Sequence, residues 1–519
     1  MGTVNKNFKL SFFGRVRDVL HAVDEGVLAP WSPEYLDWTV LRRTWYDGPD
    51  QELSQAGITF QLTQTDTRAV QSLHYQPSNQ SFIAELDPDD PNFAMTGQAA
   101  IDLAVHDCGE GLQPTTYYAL RRRTIRLHTQ KAVMSLMVDI PLERRGGHEQ
   151  EGAGAQGGNS NGLYNDDIAR LRASLISGKP KALCRLGQHL SERSPIWLDT
   201  PSKPNQYEWK NPSREPIGKF AKPQLRGGEN ARTALLASLD VAIARMSMLV
   251  PVVAETRNFY GLYQLRVALR RFRAIERTYR PYLNSAHFRA LALLARDYGR
   301  VLGPARDWDV FVAETLPKLS ISFNGGGGAE RLLARARLRK RSAMDEAVTA
   351  VSDTAFRKFL LGAAELRATL EERGANELAQ TPVRLFATDA LDRRHALTFR
   401  RVGRIDQSDD DGRHQVRIAL KKFRYSIQLF RTLYPKSARM PYQNGIKALQ
   451  DTYGAINDAA RAKDLAEQIM SPQEEPILAR QLAAMYDVQN VELRAEASQR
   501  LMELKALTPF WRADPFGQE

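Results

Sequence analysis

Basic side chains recur at helical spacing in two stretches that are nearly the same phrase. Residues 263–273 read YQLRVALRRFR and residues 414–424 read HQVRIALKKFR. Positions three and four apart share one face of a helix, so Arg266, Arg270 and Arg273 line up behind Tyr263, and Arg417, Lys421 and Arg424 line up behind His414. Like charges stacked in this way repel by about 0.2–0.5 kcal/mol per pair, so something negative is expected on each stripe. Arginine offers forked contacts to phosphate oxygens and lysine offers a point charge. A single stripe of this kind is ordinarily a solvated face balanced by acids on a neighbour. Its recurrence at matched positions, with few acids between, favours a binding surface.

The two phrases stand 151 positions apart, and the same offset carries Leu302-Gly303-Pro304-Ala305-Arg306-Asp307 onto Tyr453-Gly454-Ala455-Ile456-Asn457-Asp458. A spacing kept over some forty residues indicates a duplicated unit. Both phrases lack Gly and Pro and place Leu265, Leu269 and Phe272, or Val416, Leu420 and Phe423, on an apolar stripe, which predicts two sibling helices. A twofold arrangement would line one groove or pore with both basic stripes, a site for a long polyanion. Arg271, Lys422, Arg306 and Lys447 are further candidates for its lining, and Tyr263 and His414 would add hydrogen bonds at equivalent positions. Asp307 and Asp458 read better as helix caps or as groups orienting an arginine than as ligands, because a carboxylate repels phosphate.

The chain has 519 residues, enough for about three domains that each bury a core. With 43% apolar and 25% charged residues it is globular rather than disordered. A net charge of +12 favours nucleic acid, an anionic membrane or a phosphate polymer as partner. Cys108 and Cys184 give neither disulfide nor metal spacing. No apolar run is read as a membrane span and no signal-peptide core is present, so a cytoplasmic protein without membrane contact is expected.

Residues 1–210 read as an antiparallel β domain, barrel or tunnel-like, with expected strands at 8–12, 58–63, 69–75, 81–86, 117–128 and 133–140. Residues 146–162 form a Gly-rich polar loop, and 166–192 return to helical spacing broken at Gly178-Lys179-Pro180. Residues 211–228 are a Pro-, Lys- and Gly-rich linker. An all-α domain follows over 229–510, expected as two pseudo-twofold-related four-helix bundles at about 229–375 and 380–510. Helices are expected at 436–453 and 458–470 among others.

The helical half resembles the CHAD domain, the conserved-histidine α-helical domain. His414-Gln415-Val416-Arg417 with Arg424-Tyr425 matches its first phrase, and residues 303–309 and 454–458 match its glycine-then-acidic phrase. The resemblance implies paired four-helix bundles with a basic central channel that binds inorganic polyphosphate. Tyr263 departs from the family histidine. A tyrosine still donates a hydrogen bond but does not become a cation near neutral pH.

The first two hundred residues resemble the CYTH domain of the triphosphate tunnel family. Trp45-Tyr46-Asp47-Gly48-Pro49, the strand ending at Asp139, Leu175 to Pro180, and Ser202-Lys203 carry the likeness in the right order. In that family, alternating glutamates hold divalent metal with oxygen ligands. Here those positions carry Asn5, Asn7, Arg170, Arg172 and Ser174, while Gln61, Thr63 and His74 stand where basic residues are expected. The domain is therefore expected to be catalytically dead, a pseudoenzyme without metal or other cofactor. Lys9, Arg121, Arg123 and Lys203 remain candidates for anion binding.

The leading expectation is a non-catalytic binder of inorganic polyphosphate in a bacterial cytoplasm, associated with polyphosphate granules. The alternative is a metal-dependent inorganic triphosphatase, which would need Mg²⁺ or Mn²⁺ on a rearranged site using Glu85 and Asp139. Nucleic-acid binding ranks third, since no helix-turn-helix, RNA-recognition or zinc signature accompanies the charge.

Overall fold

Period-two burial builds the amino-terminal unit. The computed structural model describes residues 8–48, 52–55, 58–75, 80–86, 113–142, 168–199, 217, 223–317, 328–372, 377–404, 410–470 and 476–512. Asn5, Asn7, Cys108, Lys203 and the 146–162 loop lie outside the described residues. Two compact units, Met1–Glu215 and Pro216–Glu519, divide inside the stretch read as a linker.

The first unit holds one sheet of β1 (Lys9–Arg15), β2 (Pro33–Asp47), β3 (Ile58–Gln64), β4 (Ala69–Tyr75), β5 (Gln80–Leu86), β6 (Gln113–Thr129), β7 (Ala132–Pro141), β8 (Ile168–Ser177) and β9 (Trp197–Asp199). Its order is β5-β4-β3-β2-β6-β7-β8-β1-β9, with antiparallel neighbours throughout. The edges β5 and β9 do not pair with each other among the described residues, so the antiparallel sheet expected here is unclosed. Leu10, Phe12, Leu136, Val138, Leu171, Ala173 and Leu175 are buried on one face, where helices Val16–Ala22 and Pro180–Arg193 pack on β1 and β8. Burying each large side chain contributes about 1.5–3 kcal/mol.

β8 corrects the helical reading of 166–177. Ala, Leu and Arg favour helix locally, but pairing to both β7 and β1 holds the segment extended, with Arg170, Arg172 and Ser174 turned away from the apolar face. Gly178 then turns the chain at φ 109°, where a Cβ would lie 2.7 Å from the Lys131 carbonyl oxygen.

The second unit is helical. Ala231–Thr256 starts the first repeat and packs against the basic helix Phe259–Tyr279, whose Asn258 cap accepts from the Gly261 amide at 2.8 Å. Ala286–Val301 and Gly303–Val310 follow, the latter running into a π-helical turn at Phe311–Thr315. Gly328–Ser352 and Thr354–Glu372 complete this half. The second repeat comprises Val383–Val402, the basic helix Asp410–Phe430, Lys436–Glu467 and Pro476–Ala506.

Duplication shows in the packing. Leu265, Leu269 and Phe272, like their counterparts Val416, Leu420 and Phe423, are all buried. The repeats begin by clasping one another. The Ala231 amide donates to the Thr381 carbonyl at 2.9 Å, and the Val383 amide donates to the Glu229 carbonyl at 2.9 Å. One difference separates them. Pro304 has no amide hydrogen to continue the preceding helix, so the chain turns at Leu302. Ala455 occupies the matching position, and Lys436–Glu467 runs unbroken through Gly454 where two helices were expected.

Helix Ala231–Thr256 is long and apolar enough to cross a membrane, contrary to the sequence reading, yet 61% of its apolar window is buried inside the unit. Leu235, Leu239, Met246, Leu249 and Val253 are core side chains there.

Candidate functional site

The two basic helices meet in their carboxyl-terminal halves. Near their carboxyl ends Thr278 and Ser426 bring their hydroxyl oxygens within 3.3 Å of each other in a buried contact. One turn or two earlier, Arg270 donates from Nε to the Tyr425 hydroxyl at 2.9 Å, and Arg271 reaches Gln428 at 3.4 Å. The apolar stripes fix these rotations: once Leu269, Phe272, Leu420 and Phe423 enter the core, Arg270, Arg271 and Lys421 turn toward the opposite repeat.

A central cationic cluster results. Burial, then the charges of Arg417, Arg270 and Arg266, together bring the Lys421 ammonium down to about 7, against the opposing influence of Asp458. Burial and the charges of Arg270 and Arg306 bring Arg266 to about 10, with Asp307 working the other way. Arg417 is lowered by burial, partly offset by Asp458, and it also faces Arg270 and Asp307. The members exchange under the offset of 151, Arg266 with Arg417 and Arg270 with Lys421, so the cluster straddles the pseudo-twofold axis.

The aspartates steer rather than coordinate. Arg417 donates to Asp458 at 3.2 Å, and Arg461 donates to Asp307 at 3.2 Å. Arg266 is held by the Gly299 carbonyl at 2.9 Å, and a Cβ on Gly303 would lie 3.1 Å from its Nη1. The entrance pair is also repeated. Tyr263 carries the Arg306 guanidinium over its ring at 5.0 Å, and the counterpart His414 is hydrogen-bonded through Nδ1 to Asn457, the counterpart of Arg306.

The remaining expected lining residues are divided between two flanks. Arg273 and Lys422 meet in one, with Arg277, Arg394 and Arg401 around Lys422 and Arg277, Arg296 and Arg300 around Arg273. Burial, then these charges, brings Lys422 to about 8 and Arg273 to about 10. Arg271 and Arg424 meet in the other, beside Arg431, and burial lowers Arg271. Arg424 donates to Gln450 at 2.9 Å. Lys447 is exposed on Lys436–Glu467 and joins none of these charges among the described residues. Tyr425, Arg461 and Asn457 were not singled out as lining residues. Their signal was present for Asn457, which stands one offset from Arg306, but Tyr425 faces Ala274 in that register.

In the sheet unit, the candidates fall on opposite faces. Lys9, Arg170, Arg172, Asp139 and Arg122 share one by their ladder register. Asp139 accepts from Arg122 Nε and Nη2 at 2.6 and 2.7 Å and from Arg172 Nη2 at 2.6 Å. Although burial opposes it, these guanidinium contacts hold its carboxyl below the usual range. Arg170 pairs with Asp199 at 3.2 Å, but there burial outweighs the arginines and raises the carboxyl. Arg121 and Arg123 lie on the other face, stacked 5.1 Å over Trp38 and 4.7 Å over Tyr35. Glu85 is exposed on the edge strand β5. No cluster of three or more metal-ligating side chains occurs among the described residues.

The CHAD domain family matches residues 237–467. A CHAD domain from the plant Ricinus communis is 23% identical over 57% of this chain and 97% of its own, with a TM-score of 0.44. PptA from Streptomyces chartreusis is 17% identical over 54% of this chain and 100% of its own, with a TM-score of 0.42. A putative adenylyl cyclase from Hippeastrum, described as having a dominant triphosphatase activity, is 10% identical over 38% of this chain and 93% of its own, with a TM-score of 0.26. No curated protein matches the sequence significantly. The central cationic cluster is thus the property of a CHAD domain at residues 237–467, which follows a nine-stranded antiparallel-sheet unit where the CYTH resemblance expects one.

Proposed function

We propose that the helical domain binds inorganic polyphosphate without cleaving it, in the central cluster of Arg266, Arg270, Arg417 and Lys421. The observation that carries this reading is the convergence of four half-buried cations from both repeats, where burial and then the neighbouring arginines lower the Lys421 ammonium to about 7. A folded protein tolerates such mutual repulsion at a cost in stability, and a polyanion relieves it. Inorganic polyphosphate fits because it offers a charge at every unit and no base for side chains to read. Tyr263 and His414, at equivalent places beside the cluster, add hydrogen-bonding groups. Attachment to polyphosphate granules follows from the same affinity.

The sheet unit supports the non-catalytic part. Both oxygens of Asp139 are engaged by Arg122 and Arg172, and arginine stands where a tunnel enzyme needs a metal-binding carboxylate. Release of phosphate from tripolyphosphate with Mg²⁺ or Mn²⁺ would overturn that part.

The test is retention of the full chain on long-chain polyphosphate as salt is raised. Affinity is expected to fall log-linearly with salt, as counterions are released. The Arg266→Glu/Arg417→Glu double variant is expected to lose retention, and Lys421→Met, a milder change, to weaken it. Unchanged retention by both folded variants would overturn the assignment.

A further inference from the structure

A second basic surface lies outside the two duplicated phrases. Helix Gly328–Ser352 contains RLLARARLRKR at 331–341. Leu332, Ala336, Ala343, Met344 and Ala347 bury its apolar side, which leaves Arg337, Arg339 and Arg341 exposed. Arg337 and Arg341 are four residues apart and Lys340 lies between them on the same side, an arrangement of like charges that costs helix stability. No acidic partner of Arg337, Arg339 or Arg341 occurs among the described residues.

This surface is joined to the central cluster through Asp309, the carboxylate that Lys340 and Arg306 share. Asp309 takes Lys340 Nζ at 2.9 Å on Oδ1 and Arg306 Nη1 at 2.7 Å on Oδ2. Arg306 in turn lies over Tyr263 and adds its charge to that at Arg266. Cations therefore succeed one another from Arg266 through Arg306 and Lys340 to Arg337 and Arg341. Asp309 fixes two of them and Glu314 lies 3.8 Å from Arg306 Nη2, so the uncompensated charge of the track sits at its two ends, the central cluster and the pair Arg337 and Arg341. Lys340 is further held over the Phe259 ring at 4.2 Å, so the helix is anchored to the first basic helix at its start.

Resting on the polyphosphate reading above, we propose that Arg337 and Arg341, which share one side of the helix, form an outer subsite, filled only by chains long enough to leave the central cluster over Arg306 and Lys340. A short phosphate chain would occupy the centre alone. Chain-length preference is thereby set on the helix Gly328–Ser352 and not at the buried cluster.

The Arg337→Gln/Arg341→Gln variant of the full chain separates the two, because glutamine keeps helix propensity and removes charge. Binding of tripolyphosphate and of long-chain polyphosphate is measured by calorimetry across a salt series. Tripolyphosphate affinity is expected to stay within about twofold, while long-chain affinity falls about tenfold and its log–log salt slope becomes shallower by about two. Equal loss on both ligands, or no loss on the long chain, would overturn the outer subsite while leaving the central site standing. Binding of neither ligand by the unsubstituted protein would instead remove the reading on which it rests. Tight binding of RNA with no response to polyphosphate would do the same.

Discussion

Arg270 donates from Nε to the Tyr425 hydroxyl at 2.9 Å, the one direct side-chain link that the described residues show between a central cation and the other repeat's basic helix. A hydrogen bond to a charged group contributes more than a neutral one, so Tyr425→Phe is expected to lower stability by about 1–2 kcal/mol. The shift would be read from the denaturant midpoint. An unmoved midpoint would show that the contact is replaced by water without loss.

Two glycines one offset apart should respond oppositely. Gly303→Ala places a methyl group 3.1 Å from Arg266 Nη1 and is expected to displace that guanidinium from the Gly299 carbonyl, weakening polyphosphate retention severalfold. Nothing lies within 4 Å of a Cβ at Gly454, which sits inside a continuous helix. Gly454→Ala is therefore expected to add about 0.5–1 kcal/mol of stability. Retention assays and thermal unfolding on the two variants check the pair, and equal behaviour would contradict it.

Lys421 gives stability and binding opposite dependences on pH. Its folded-state value, about 7, lies below the usual lysine value, so between pH 7 and the unfolded lysine range the unfolded chain carries the extra proton. The free protein is then expected to gain stability as pH rises through that window. Polyphosphate favours the charged ammonium, so its affinity is expected to fall by up to about tenfold per pH unit above 7, the limit for one linked proton. Lys421→Arg should flatten the affinity profile. A profile of unchanged slope in that variant would remove Lys421 from the linkage.

Asp139 makes the converse prediction in the sheet unit. Its carboxyl is held below the ordinary value by Arg122 and Arg172, so its contribution is present above the unfolded carboxylate range and lost as pH falls through the folded value. Asp139→Asn leaves two guanidinium groups facing each other and is expected to cost about 3–5 kcal/mol. A calorimetric scan that follows the sheet unit checks this. An unchanged transition would mean that the arginines find other partners.

The basic stripes were legible because duplication repeats them, and repetition survives without knowing any neighbour. What could not be read was which helix stands opposite each position. Arg266 and Arg273 share a stripe, yet they lie seven residues apart, about 10 Å along the axis. Arg273 consequently meets Arg277, Arg296 and Arg300 rather than the central cluster. Lys421 and Lys422 are adjacent in sequence, and the turn between them sends one to Arg417 and Arg270 and the other to Arg277 and Arg401. β8 was misread for a related reason: Ala, Leu and Arg look helical alone, and only the strands on both sides make Ile168–Ser177 extended. The basic face of Gly328–Ser352 passed unnoticed because it has no copy one offset away to mark it.

The reciprocal amide bonds at Asn230 and Pro382 tie the start of each half to the other. A self-complementary junction of this sort is what two identical subunits would form in a symmetric dimer. Covalent union of the halves released them from having to stay identical. A tyrosine at position 263 and a histidine at position 414 then stand at equivalent places with different chemistry, which no pair of separate, equal protomers could offer.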